Sequence, residues 1–204
     1  MIRKKAARRT STEQAASRTN RSQFVILGIL SIRPASGYDI QKAIQSSTSF
    51  FWTESYGQIY PTLERLLEQG LVRARKDVGS GRRRTTYSIT AEGRRAFDAW
   101  IRAPYQPTVE RNELLLKVFF GRLAEPAVTA AHLRRARQEA EVYLHTLQGI
   151  AEQLKKLLPT RKERIHTAAT VKLGIAAARA QMAWCDEVLS ELEEEFGKRL
   201  LREK

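Results

Sequence analysis

A single cysteine, Cys185, stands in a chain of 204 residues, which excludes an internal disulfide framework and a thiolate-rich zinc site. Such scarcity suits a reducing, cytoplasmic compartment. No apolar run approaches the ~20 residues that a bilayer span needs, and the opening stretch MIRKKAARRTS lacks the apolar centre of a secretory signal. A soluble protein is therefore expected. His132, His145 and His166 share no metal-ligand spacing with one another or with Cys185, so neither a metal nor a cofactor is predicted. Gly79-Ser80-Gly81 lacks the spacing of a phosphate-binding loop and reads as a hairpin turn. No nucleophile with a base and no paired carboxylates stand out, which argues against an enzyme.

Acid is also scarce: 22 Asp+Glu face 36 Lys+Arg, for a formal net charge of +14. An excess of this size attracts polyanions through counterion release, nucleic acid first and an anionic membrane surface second. Its placement is uneven. Residues 1–21 hold Arg3, Lys4, Lys5, Arg8, Arg9, Arg18 and Arg21 against Glu13 alone, and a second cluster comprises Arg73, Arg75, Lys76, Arg82, Arg83 and Arg84. The last helix instead ends in Glu191, Glu193, Glu194 and Glu195. An anion-binding surface is thus expected in the first half. Residues 1–21 show no apolar periodicity and read as a disordered basic arm, either touching phosphates or merely solvated.

Phe24 to Ile32 is apolar nearly all round and stops at Pro34, as a short buried helix does. Ser36-Gly37-Tyr38-Asp39 resembles a capping box opening a second helix, with Ile40, Ala43 and Ile44 on one face. A third helix begins near Ser55, with Ile59, Leu63, Leu66 and Leu67 at helical spacing, and Gly70 ends it. Its other face offers Tyr56, Gln58, Tyr60, Thr62 and Arg65, side chains able to bond to phosphates and base edges. Two β-prone segments, 71–77 and 83–89, flank a glycine-containing tip followed directly by Arg82, Arg83 and Arg84. Thr90 then caps a helix carrying Ala96, Phe97, Trp100 and Ile101, which ends before Pro104.

The expected organisation is a DNA-binding domain over 22–103, a linker and short docking helix over 104–125, and a two-helix dimerisation domain over 126–204. Glu113 to Phe120 is too apolar to stand exposed and is expected to dock between the domains. Two long helices follow. Leu133, Ala136, Ala140, Tyr143, Leu147, Ile150, Leu154 and Leu157 step by alternating three and four, and Pro159 breaks the run. A second such seam runs through Ala168, Val171, Ile175, Ala178, Met182, Cys185, Leu189, Leu192 and Phe196, which predicts an antiparallel hairpin. Flanking apolar residues such as Leu173, Trp184 and Val188 widen the stripe beyond what one hairpin covers. Either a second copy packs there, with Ile175, Met182, Leu189, Leu192 and Phe196 in the homodimer interface, or the chain's own first domain does.

The fold class is therefore mainly α with a small β-hairpin: a winged helix-turn-helix domain plus a C-terminal antiparallel helical dimerisation arm. In that order of elements the third helix enters the major groove and the hairpin touches backbone or minor groove. A dimer would read half-sites about 34 Å apart. Tyr56, Gln58, Thr62 and Arg65 are the expected operator contacts. Tyr60 either faces DNA or braces the helix, and Ser55 reads as a cap whose neighbouring amides meet a phosphate. Arg82, Arg83 and Arg84 are phosphate clamps or solvated surface.

Leu27-Gly28-Ile29-Leu30, Ser36 to Ile40 (SGYDI), Gly57 to Leu63 (GQIYPTL), Leu66 to Val72 (LLEQGLV), Arg84 to Thr90 (RTTYSIT) with Glu92-Gly93, and Glu113 to Phe120 (ELLLKVFF) together resemble the PadR family of bacterial transcriptional regulators. The resemblance covers residues 22–122. It implies DNA binding by the Gln58 helix and the wing, usually to repress a nearby gene, in a nucleoid-associated protein. It also implies response to a small aromatic effector near the dimer interface, for which Trp100, Tyr143, Met182 and Trp184 are the candidate lining. The alternative reading is a non-sequence-specific protein that coats nucleic acid with its basic arm and wing.

Overall fold

The computed structural model describes residues 11–52, 56–77, 84–107 and 111–197. The chain forms two compact units, Met1–Gln106 and Pro107–Lys204. In the first unit, helix α1 (Ser11–Ile32) leads through strand β1 (Ala35–Ser36) to helices α2 (Gly37–Ser47) and α3 (Tyr56–Glu68). Strands β2 (Val72–Asp77) and β3 (Arg84–Ile89) and helix α4 (Ala91–Arg102) follow. The core is a single cluster in which Ile26, Leu27 and Leu30 of α1 meet Ile40, Ile44, Ile59, Leu63, Leu66, Val72 and Tyr87. Burial of these large side chains is the main stabilising contribution, at roughly 1.5–3 kcal/mol each before chain entropy is set against it.

Two departures from the sequence reading stand out. Residues 11–21 are helical rather than a disordered arm, because no proline or glycine interrupts the chain before the apolar run and a nucleated helix propagates backwards at little cost. Residues 1–10 lie outside the described residues. The second departure is β1, which pairs antiparallel with β3 through Ala35↔Tyr87 and Ser36↔Thr86 and makes a sheet of order β1-β3-β2. A strand of two residues has no readable period.

The hairpin pairs from Val72↔Ile89 out to Asp77↔Arg84, so Arg84 is the last laddered residue before the tip, which lies outside the described residues. Its base is pinned to α4 by Thr90. The Thr90 hydroxyl accepts from the Gly93 N–H at 3.0 Å and donates to the Gly70 carbonyl at 2.8 Å. Gly93 allows this approach, since a Cβ there would lie 2.0 Å from the Leu71 carbonyl oxygen. Further along the same face of α4, Trp100 stacks on Phe24 of α1 with centroids 4.7 Å apart, and Phe97 lies over Gly28.

The second unit consists of helix α5 (Glu113–Phe119), a 3-10 turn over Gly121–Leu123, and the long helices α6 (Pro126–Leu157) and α7 (Arg161–Phe196). Leu147 meets Gly174 while Arg137 pairs with Asp186 at 2.6 Å, so α6 and α7 run antiparallel. Leu133, Ala136 and Cys185 form the buried centre, against which Leu114 and Val118 of α5 pack with Trp184, Val188, Leu189 and Leu192. Small residues on the seam bring the backbones close. Leu189 and Leu192, predicted for a dimer interface, thus already have neighbours in their own chain, and Ile175 and Met182 are half-buried. Leu115, Leu116, Phe119, Phe120, Leu123, Leu157, Leu173 and Phe196 stay exposed. Among the described residues, no helix is long and apolar enough to cross a membrane.

Candidate nucleic-acid interface

Helix α3 is the centre of the candidate surface. Gln58 and Tyr60 lie on its exposed side, while Ile59, Leu63 and Leu66 are buried on the other. Thr62 requires a correction: it is only 1% exposed and belongs to the core, not to the outer face. It stands three residues after Ile59 and four before Leu66, the helical spacing of one face, so the apolar period already contained this answer. The Thr62 hydroxyl accepts from the Arg65 guanidinium at 3.4 Å, which keeps a buried polar group bonded and holds Arg65 half-buried beside it. Tyr56 opens the helix. Ser55, Arg82 and Arg83 lie outside the described residues.

Tyr60 is 42% exposed, yet its ring also lies against the backbone of Gly37, where a Cβ would come within 2.7 Å of the ring. Gly37 is therefore a contact position, and the bracing alternative for Tyr60 has a physical counterpart in α2. The hairpin adds its own cations. Antiparallel pairing puts Arg73, Arg75 and Arg84 on one face of the ladder with Ser88 and Thr86, and the Arg73 Nε donates to the Ser88 hydroxyl at 3.0 Å. Arg73, Arg75 and Lys76 are exposed. They formed part of the charge argument from sequence without being singled out as contacts, because strand facing depends on a register that only the ladder fixes.

Arg84 is not simply solvated: its guanidinium pairs with the carboxylate of Asp39 at the start of α2. Asp39 also accepts from the Ser36 N–H at 3.0 Å and the Ser36 hydroxyl at 2.7 Å, completing a capping box. These Ser36 bonds, then Arg84, hold the Asp39 carboxyl down at about 2. Sequence reading found the box but not its partner 45 residues away.

The four residues considered for an effector fall into different environments. Trp100 lines an open, almost wholly apolar pocket of about 380 Å³ in the first unit, with Arg21, Phe24, Gly28, Phe51, Trp52 and Phe97 among its walls. Tyr143 lines a shallow depression on α6 with Glu139 and Val142. Trp184 packs on the Leu133–Cys185 cluster, and Met182 is half-buried on α7.

Comparison with known proteins bears on both units. Residues 26–99 match the transcriptional regulator PadR-like family, and residues 110–193 match the family described as virulence activator alpha C-term. The negative transcriptional regulator PadR of Bacillus subtilis is 28% identical over 134 residues, which span 65% of this chain and 74% of that protein. Its structure with operator DNA shares the fold at a TM-score of 0.75 and 22% identity, covering 83% of this chain and 96% of that one. Its structure with p-coumaric acid does so at 0.70 and 21%, covering 87% and 98%. The Vibrio cholerae virulence activator AphA is 30% identical with a TM-score of 0.69, and the match covers 84% of this chain and 98% of that structure. With a winged first unit and a helical-hairpin second unit each matched in this way, the chain belongs to the PadR-like family of transcriptional regulators.

Proposed function

We propose that this regulator binds a specific double-stranded DNA operator as a homodimer, represses a nearby gene, and is released by a small aromatic effector. The observation that carries the DNA-binding part is the exposed Gln58–Tyr60 side of α3, together with a hairpin whose strand β2 exposes Arg73, Arg75 and Lys76. Such a helix supplies base-edge contacts and such a hairpin supplies phosphate contacts. Tyr56, Arg65, Ser55, Arg82 and Arg83 extend the same surface in this reading. The Bacillus relative, a negative regulator with an operator complex, supports repression. The Vibrio relative, an activator, supports the opposite sign as the second reading. The protein acts by binding, with no catalytic step.

For the effector, the Trp100 pocket is the stronger seat, since its aromatic walls, with Phe24 stacked on Trp100, suit a planar ring. Trp100→Ala should abolish release of DNA by p-coumaric acid, used as the probe, while Trp184→Ala should leave it intact. The reverse result moves the seat to the Tyr143, Met182 and Trp184 side.

Fluorescence anisotropy with the protein's own upstream DNA tests the core of the proposal. Preference for one duplex over random DNA by roughly a thousandfold, with a steep salt dependence, is expected of an operator-specific protein. Equal binding to random duplex would sink it in favour of a nucleic-acid-coating protein.

A further inference from the structure

Arg84 occupies the position from which a wing would be expected to reach a phosphate, yet its guanidinium is engaged within the chain. We propose that the Asp39–Arg84 pair is an intramolecular latch that fixes the wing against the start of α2, making Asp39 a positioning residue for DNA binding and not a passive helix cap. This rests on the DNA-binding reading above.

Three observations converge on that site. Arg84 is the first residue of β3 and, paired with Asp77, forms the outermost pair of the ladder, so its side chain restrains the hairpin at its far end. Asp39 is pre-oriented, because the Ser36 N–H and hydroxyl already hold the same carboxylate oxygen that Arg84 approaches. The third is the position of Tyr60, whose ring from α3 lies on Gly37, two residues before Asp39. One short segment, Ser36 to Asp39, therefore touches both the helix offered to the bases and the strand that carries the wing.

The energetics favour a latch of modest strength. Exposed ion pairs gain little, chiefly because two long side chains must be ordered to form them. Here the acid is only 29% exposed and already held, so only the arginine, 58% exposed, loses freedom. Asp39 meets only the Nη2 of Arg84, so the latch and a phosphate contact make different predictions for substitutions at the two residues.

The discriminating variants are Asp39→Asn, which keeps an acceptor for Ser36 and loses the charge, together with Arg84→Ala and the double substitution. In the free protein, hydrogen exchange of the β2–β3 amides near Asp77 and Arg84 should quicken about two- to fivefold in Asp39→Asn, while α1 amides are unchanged. Unchanged exchange in the hairpin overturns the latch, whatever the protein does to DNA. With operator DNA, Asp39→Asn and Arg84→Ala should each weaken binding to a similar degree, the double variant should be no worse than either, and the salt slope should stay that of wild type. Arg84→Lys, which retains the charge, should restore most of the affinity. If Arg84→Ala instead lowers the salt slope by about one and Asp39→Asn tightens binding, Arg84 is a phosphate clamp and the latch is wrong. Failure of the wild-type protein to discriminate operator from random duplex would count against the function proposed above, with the exchange measurement still deciding the latch.

Discussion

The two units of this protein bury their apolar residues in cores of different shape. The first draws Ile, Leu, Val and Tyr side chains from three helices and the sheet into one buried cluster, although residues at its edges such as Ile32 and Tyr105 stay exposed. The second buries a narrow seam of Leu133, Ala136, Ala140, Leu147, Val171, Ala178 and Cys185, and leaves Phe119 and Leu173 about three-quarters exposed, at 75% and 73%. The contrast is geometric. Several crossing elements can enclose a volume, whereas two antiparallel helices touch along a line and leave the flanks of each stripe uncovered. A self-sufficient unit is suited to presenting a rigid surface, and an incompletely covered one is suited to being completed by another molecule.

That contrast can be broken most forcefully at Gly93. The added methyl of Gly93→Ala would meet backbone at the Leu71 carbonyl, and the first unit should lose about 3 kcal/mol in thermal or denaturant unfolding. Gly174→Ala in the second unit would clash only with the flexible end of the Leu147 side chain, the Tyr143 hydroxyl lying at an ordinary 3.6 Å, so about 1 kcal/mol is expected there. Equal losses would remove the argument that the first unit is the more tightly enclosed.

The uncovered flank is tested next. If a second copy completes the second unit, Leu173→Glu should weaken self-association at least tenfold, or about 1.4 kcal/mol, without lowering the helical circular dichroism signal. Light scattering across a dilution series would detect it. A mass independent of concentration and identical to wild type would mean that Leu173 lies outside any interface between copies.

The smallest effect concerns acid. Asp39 is held below its ordinary 3.8, at about 2, so its interactions stabilise the folded first unit above pH 4 and that contribution disappears as pH falls through 2. Removing the charge with Asp39→Asn should cost about 1 kcal/mol at neutral pH, allowing for partial exposure, and the difference from wild type should shrink steadily below pH 4 and be mostly gone at pH 2. A difference that stays at its neutral-pH size down to pH 2 would assign the loss to packing and not to charge.

Much of the first unit was legible because its signals are local. Apolar periods, the capping box at Ser36, the Thr90 cap and the Gly70 stop are all read within a few residues. Thr62 was misread against a period that already placed it inside, since its hydroxyl suggested a polar face while its spacing matched Ile59 and Leu66. Helix α1 was read too short because basic composition was taken for disorder where nothing in the sequence stops a helix.

The sequence by itself determined the order of elements, the seam of the helical hairpin and the basic character of the hairpin in the first unit, because each depends on neighbours within a turn or two. Only the tertiary structure decided that Arg84 meets Asp39, that Tyr60 rests on Gly37 and that Trp100 shares a pocket with Phe24. Those contacts join residues 23 to 76 positions apart in the chain, and no local spacing rule connects them. They arise when the sheet ladder and the common core fix which faces of separate elements are brought together.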